Sequence, residues 1–94
     1  MVRYTCIRAM LPTVEAALAA HGYILERPLA KESDGERLIV MTQPSAVVLL
    51  SECAQRDIAD IAVYGAAQAA TTALLEQLPI HLAKQPTWSG QAYQ

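Results

Sequence analysis

The amino-acid sequence predicts a small single-domain α+β sandwich, in which a long C-terminal helix covers an antiparallel sheet. A length of 94 residues suits one domain. Short runs of β-forming residues, separated by turn signals, occupy most of the first half of the chain. An alanine-rich stretch, residues 51–78, then continues without proline until Pro79. The predicted order of elements is β-α-β-β-β-α, and the whole chain, 1–94, forms the domain.

A strand and a helix come first. Residues 2–9 alternate in polarity and are rich in β-forming residues, which predicts a strand. Pro12 suits the first turn of a helix, because an N–H at that position would have no partner within the helix. Gly22 is placed to end this helix, since glycine adopts the left-handed conformation of a C-cap without strain.

A meander of three strands is expected next. The predicted strands cover residues 23–29, 37–43 and 46–50. Pro28 marks the first of them as an edge strand or a strand end, because proline cannot donate a hydrogen bond to a neighbour. The pair Asp34-Gly35 is a hairpin signal, and Pro44 indicates a tight turn between the second and third strands.

The second half predicts one long helix over residues 51–78. Ser51 can cap it, Glu52 interacts favourably with its dipole, and Pro79 cannot continue it. Alanine, leucine, glutamate and glutamine have high helix propensities, so Gly65 is the one weak position. The helix would carry two apolar faces, which is typical of a helix with two packing partners.

The faces of this helix supply most of the candidate binding residues. Stepping at about 100° per residue places Ile58, Ile61 and Gly65 on one apolar side. Tyr64 and Gln68 lie in a polar strip, together with Asp57, Asp60 and Thr71. We expect the Ile58–Ile61–Gly65 side to contact a partner, and the polar strip to be solvated.

An alternative interpretation divides residues 51–78 into shorter elements. Asp57 would then cap a shorter helix, or residues 58–64 would form a strand, because Ile61 and Val63 are β-formers. The alanine content leads us to favour the helix.

Composition and charge exclude several classes of function. The formal net charge is −2, whereas a general nucleic-acid binder carries a basic field. No apolar stretch is long enough to span a bilayer, and residues 2–5 lack the apolar core of a signal peptide. We therefore expect a cytoplasmic protein that binds neither nucleic acid nor membrane.

The two cysteines, Cys6 and Cys53, are expected to be unbridged thiols, because disulfides are rare in cytoplasmic proteins. The sequence contains no Cys-x-x-Cys pair and no cysteine–histidine cluster, so we expect no metal site. It also lacks the glycine-rich signatures of nucleotide binding, so we expect no cofactor.

Residues 80–94 predict a loop-like tail, because Pro86 and the Ser89-Gly90 pair interrupt any regular element. Trp88 is the single tryptophan of the chain. It either anchors an interface or folds back to close the end of the core, and the sequence does not distinguish these roles.

These observations favour a non-catalytic binding or regulatory protein that acts by protein–protein interaction, with a protein partner, a second copy of the chain, or both. The candidate binding residues are Ile58, Ile61, Tyr64, Gly65, Gln68 and Trp88. Small acidic chains without familiar motifs are common in phages and other mobile elements, so a small inhibitor of that origin is a further expectation. The alternative is a small-ligand-binding protein or small enzyme, with a pocket between sheet and helix lined by Asp60, Tyr64 and Gln68.

Overall fold

A computed structural model describes residues 1–26 and 36–85. These residues form six strands and two helices. The strands are β1 (Val2–Ile7), β2 (Ile24–Glu26), β3 (Glu36–Gln43), β4 (Ala46–Cys53), β5 (Ile58–Tyr64) and β6 (Ala83–Gln85). The helices are α1 (Leu11–Ala20), which a single 3-10 turn precedes, and α2 (Gln68–Glu76). The strands form one sheet in the order β2-β3-β4-β5-β1-β6, with every neighbouring pair antiparallel. The small α+β class with an antiparallel sheet is therefore confirmed.

The predicted long helix over residues 51–78 is wrong. β4 continues to Cys53, a turn follows, and Ile58–Tyr64 form β5, so the alternative interpretation, a strand over residues 58–64, is the correct one. Within residues 51–78, helical structure is limited to the nine residues of α2. The predicted element order is wrong for the same reason: β5 is inserted before α2, and β6 follows it. Pairing of β5 with both β1 and β4 outweighs the local helix propensity of its alanines.

The first half of the chain follows the sequence signals more closely. Pro12 lies in the first turn of α1, and Gly22 ends the helix region with a φ of +88°. β3 and β4 pair around the turn at Pro44. Of the predicted strand 23–29, Ile24–Glu26 is β2; the remainder and the Asp34-Gly35 turn lie outside the described residues. Within the predicted tail, Ala83–Gln85 forms β6, and Trp88 lies outside the described residues.

Both helices pack on one face of the sheet and form the core with it. Side chains alternate along a strand, so each long strand contributes every second residue to this face. The strand residues buried there are Tyr4, Cys6, Ile39, Met41, Ala46, Val48, Leu50, Ala59, Ile61 and Val63. The helices cover them with Leu11, Val14, Leu18 and Leu75.

Polar contacts fix α2 to the segment that follows α1, and α1 to the sheet. The hydroxyls of Tyr23, before β2, and Thr71, in α2, are hydrogen bonded within the core. At the surface, the Arg37 guanidinium lies 3.0 Å from the Glu52 carboxylate on the neighbouring strand and 3.9 Å from Glu15 of α1. None of the helices in the described ranges has the length and apolar character needed to cross a membrane.

Candidate functional site

The candidate site is the face of the sheet that lies opposite the helices, which we call the open face. Its side chains are Arg3, Thr5, Ile7, Ile24, Glu26, Glu36, Leu38, Val40, Thr42, Val47, Leu49, Ser51, Cys53, Ile58, Asp60, Ala62, Tyr64 and Ala83. Each of them is partly or fully exposed, and no helix or strand of residues 1–26 and 36–85 lies over them. Among the residues that the structure describes, the sheet therefore has one face covered by helices and one face with no covering layer.

One row of the open face crosses five strands. Glu26, Val40, Leu49, Ala62 and Arg3 lie directly opposite one another in the register of β2, β3, β4, β5 and β1. The row therefore begins with a carboxylate, continues with three apolar side chains and ends with a guanidinium. Its opposite charges are separated by the width of the apolar centre.

The neighbouring row extends this apolar centre. It consists of Ile24, Thr42, Val47 and Tyr64 in the same strand order. Ile24 is 67% exposed and Tyr64 is 39% exposed. The Thr42 hydroxyl donates a hydrogen bond of 3.0 Å to the Glu26 carboxylate, which links the two rows at one edge. We call the two rows without their charged ends the apolar patch; its residues are Ile24, Val40, Thr42, Val47, Leu49, Ala62 and Tyr64. Contiguous apolar surface of this kind commonly marks an interaction site.

The open face becomes polar toward the turn between β4 and β5. A cleft of about 380 Å³ lies at this end. Its lining is Glu36, Arg37, Leu38, Ser51, Glu52, Cys53, Arg56, Ile58 and Asp60, so it offers groups of both charges. Within the described residues, no three histidine, cysteine, aspartate or glutamate side chains are grouped so that they could hold a metal ion.

The two cysteines lie on opposite faces of the sheet. Cys6 points into the core and is buried, whereas Cys53 lies on the open face and is partly exposed. This placement keeps the two sulfur atoms on different sides of the sheet and unbridged. Burial, reinforced by the nearby Asp60 carboxylate, raises the pKa of the Cys6 thiol. Cys6 is therefore held in its protonated form, in which it is a poor nucleophile.

The structure separates the residues that the sequence grouped on one helix side. Ile58 is 47% exposed on the open face, whereas Ile61 is fully buried in the core. A strand places residues three apart on opposite faces, so the predicted Ile58–Ile61–Gly65 side does not form. Gly65 instead follows β5 with a φ of +108° and lies against the backbone of Ser45.

The predicted ligand pocket between sheet and helix would need Asp60, Tyr64 and Gln68 to converge. Asp60 and Tyr64 share the open face but lie four residues apart on β5, or about 13 Å along a strand. Gln68 begins α2, in the helix layer on the other side of the sheet. The three side chains are therefore not brought together.

Sequence reasoning missed the centre of the open face, which is formed by Val40, Val47 and Leu49. The available signal was the unbroken apolar run in each of the strands β3 and β4. Such runs are typical of strands that are covered on both faces. In residues 1–26 and 36–85, one helix layer covers only one face of the sheet, so the alternate residues of each run remain at the surface.

Comparison of the chain with models of known protein families, with curated proteins and with solved structures found no match.

Proposed function

We propose that this protein is a non-catalytic binding protein that acts by protein–protein contact through its open face. The observation that carries the proposal is the apolar patch, in which Val40, Val47, Leu49 and Ala62 lie side by side on three adjacent strands. Covering apolar surface contributes about 25 cal/mol per Å². A partner that covers the patch removes a continuous aliphatic surface from water.

A regulatory role, as an inhibitor of a larger protein encoded by a phage or other mobile element, is the more specific form of this proposal. Its support is the small size of the chain and its net charge of −2. The proposal places the protein in the cytoplasm, where the unbridged thiols of Cys6 and Cys53 would be stable.

Binding of a small ligand is the second candidate, and the cleft beside Asp60 is the observation that favours it. Asp60 and Arg56 offer a carboxylate and a guanidinium to a ligand that carries both charges. This cleft opens on the sheet face rather than between sheet and helix.

The protein-binding proposal is tested with a charge placed in the apolar patch. Leu49→Glu introduces a carboxylate at its centre, and Ala19→Glu introduces the same group on the exposed side of α1 as a control. Thermal melts establish that both variants fold. We expect a protein captured from source cells by the wild-type chain and by Ala19→Glu to be lost with Leu49→Glu. Equal capture by all three chains contradicts the proposal.

A further inference from the structure

We infer that the open face binds a second copy of this chain, sheet against sheet, about a twofold axis that runs parallel to β4. This inference rests on the proposed function, since it identifies the protein that covers the apolar patch. It differs from the helix-mediated association expected from the sequence, because the contact surface is the sheet.

The charged row of the open face determines the orientation. Among the five strands of that row, β4 is the middle one. A rotation of 180° about an axis parallel to β4, between the two sheets, exchanges β3 with β5 and β2 with β1. Glu26 of each copy then faces Arg3 of the other, and two ion pairs form at the sides of the interface. Such self-complementarity is what a twofold interface requires.

The same rotation matches the apolar residues by size. Leu49 faces Leu49 on the axis, and Val40 of one copy faces Ala62 of the other. Large side chains thus oppose small ones beside the axis, which allows the sheets to approach closely. Aligned sheets pack about 10 Å apart with their strands within about 30° of one another.

An axis perpendicular to the strands gives a different result. It would keep every strand opposite its own copy, so Arg3 would face Arg3 and Glu26 would face Glu26. Like charges placed opposite each other in an interface are unfavourable and select against that arrangement. The separation of Arg3 and Glu26 at opposite ends of one row therefore distinguishes the two axes.

The open face is large enough for a stable dimer. The twofold axis matches the five strands β2, β3, β4, β5 and β1, which have 3, 8, 8, 7 and 6 residues. At about 3.4 Å per residue and about 4.8 Å between strands, their flat area is roughly 520 Å², and the accessible area is greater because the side chains project from it. Standard interfaces bury about 800 Å² per partner. The polar end, with Ser51 and Asp60, lies at the rim, where interfaces are normally polar.

The test is the molar mass in solution, measured by light scattering over a range of concentrations, for the wild type and four variants. We expect twice the chain mass of 10.2 kDa for the wild type. Arg3→Glu and Glu26→Arg each place like charges opposite each other, and each should weaken the dimer about tenfold or more. The double variant exchanges the two charges and should restore wild-type association. Leu49→Glu should give a monomer.

Three outcomes overturn the inference: a wild-type monomer at every concentration, a dimer that Leu49→Glu leaves intact, or single charge variants that weaken a dimer which the double variant does not restore. Thermal melts of each variant separate lost association from lost folding. The proposed function is judged separately by capture. If the wild type is monomeric but Leu49→Glu still loses a captured protein, the dimer is wrong and the binding face stands. If neither property depends on Leu49, both proposals fail.

Discussion

The Tyr4 hydroxyl donates a hydrogen bond of 2.7 Å to the Glu76 carboxylate, which joins β1 to the last turn of α2. Tyr4 is only 2% exposed. Burial, together with the hydrogen bond to Glu76 and the negative charge of that residue, raises the pKa of Tyr4 to about 12. The folded protein therefore requires the neutral phenol, since a phenolate here would be buried beside a carboxylate.

The first prediction is that stability decreases at alkaline pH. A tyrosine in the unfolded chain ionises near pH 10, so the folded state holds the Tyr4 proton more tightly. This contribution to the free energy of unfolding is fully present below about pH 10 and is lost as the pH rises toward about 12. Urea unfolding of the wild type should show this alkaline decrease in the free energy of unfolding, and the decrease should be smaller in Tyr4→Phe. Tyr64→Phe, on the open face, is the control. An identical alkaline decrease in Tyr4→Phe and the wild type would contradict the prediction.

Alanine substitutions at Ile58 and Ile61 test whether this segment is a strand. Ile61→Ala removes a fully buried side chain and should lower the free energy of unfolding by about 2–5 kcal/mol. Ile58→Ala changes a surface position and should cost less than about 1 kcal/mol. Chemical denaturation measures both values. Similar costs at the two positions would instead favour a helix, in which these residues share a side.

The two glycines with positive φ should respond differently to alanine. A Cβ at Gly65 would lie 2.5 Å from the Ser45 carbonyl oxygen and 2.8 Å from the Ala46 Cα, whereas a Cβ at Gly22 would meet nothing within 4 Å. Gly22→Ala bears only the cost of the left-handed backbone, about 1–2 kcal/mol. Gly65→Ala adds displacement of the Ser45–Ala46 backbone, so it should be the less stable variant by about 1 kcal/mol or more. Thermal melts of the two variants test this prediction. Equal melting temperatures would show that the Ser45–Ala46 backbone moves aside without loss of stability.

Thiol labelling should distinguish the two faces of the sheet. In the folded chain, the partly exposed Cys53 should react with iodoacetamide faster than Cys6, which is buried and whose pKa is raised. Both should react in the unfolded chain without prior reduction. Mass spectrometry of digested samples gives the two rates at dilutions at which the chain is monomeric. A Cys6 rate equal to that of Cys53 would mean that β1 is not in the core.

The elements that the sequence predicts well are those whose signals come from single residues with strict backbone preferences. Pro12 and Gly22 bound α1, and Pro44 marks the turn between β3 and β4. Between Ser51 and Pro79, Gly65 is the only residue with such a strict backbone preference. The helix propensity of this stretch is local, whereas its structure depends on pairing with β1, more than fifty positions earlier in the chain. Propensity summed over the stretch therefore predicted the wrong element.

The candidate site was predictable only in part. Ile58 and Tyr64 are candidate binding residues in the sequence, and both lie on the open face. The helical argument that grouped Ile58 with Ile61 and Gly65, and put Tyr64 in a separate polar strip, is wrong. Leu49 was not selected, because an apolar residue in an apolar strand is indistinguishable from a core residue until the number of covering layers is known. The charged row of Arg3 and Glu26 requires the register of the whole sheet.

The position of β1 has a consequence for the order in which the fold can assemble. Val2–Ile7 is synthesised before the other described strands, yet its neighbours in the sheet are β5 and β6, the last two of them in chain order. β3, β4 and β5 are joined by short turns and can pair as soon as they are made, whereas β1 must wait for β5 to emerge from the ribosome. Contacts so distant in sequence are slow to form. Until then the hydrogen-bonding groups of β1 and the apolar side chains beside Tyr4 remain unpaired, so we expect the nascent chain to be most prone to aggregation in that interval.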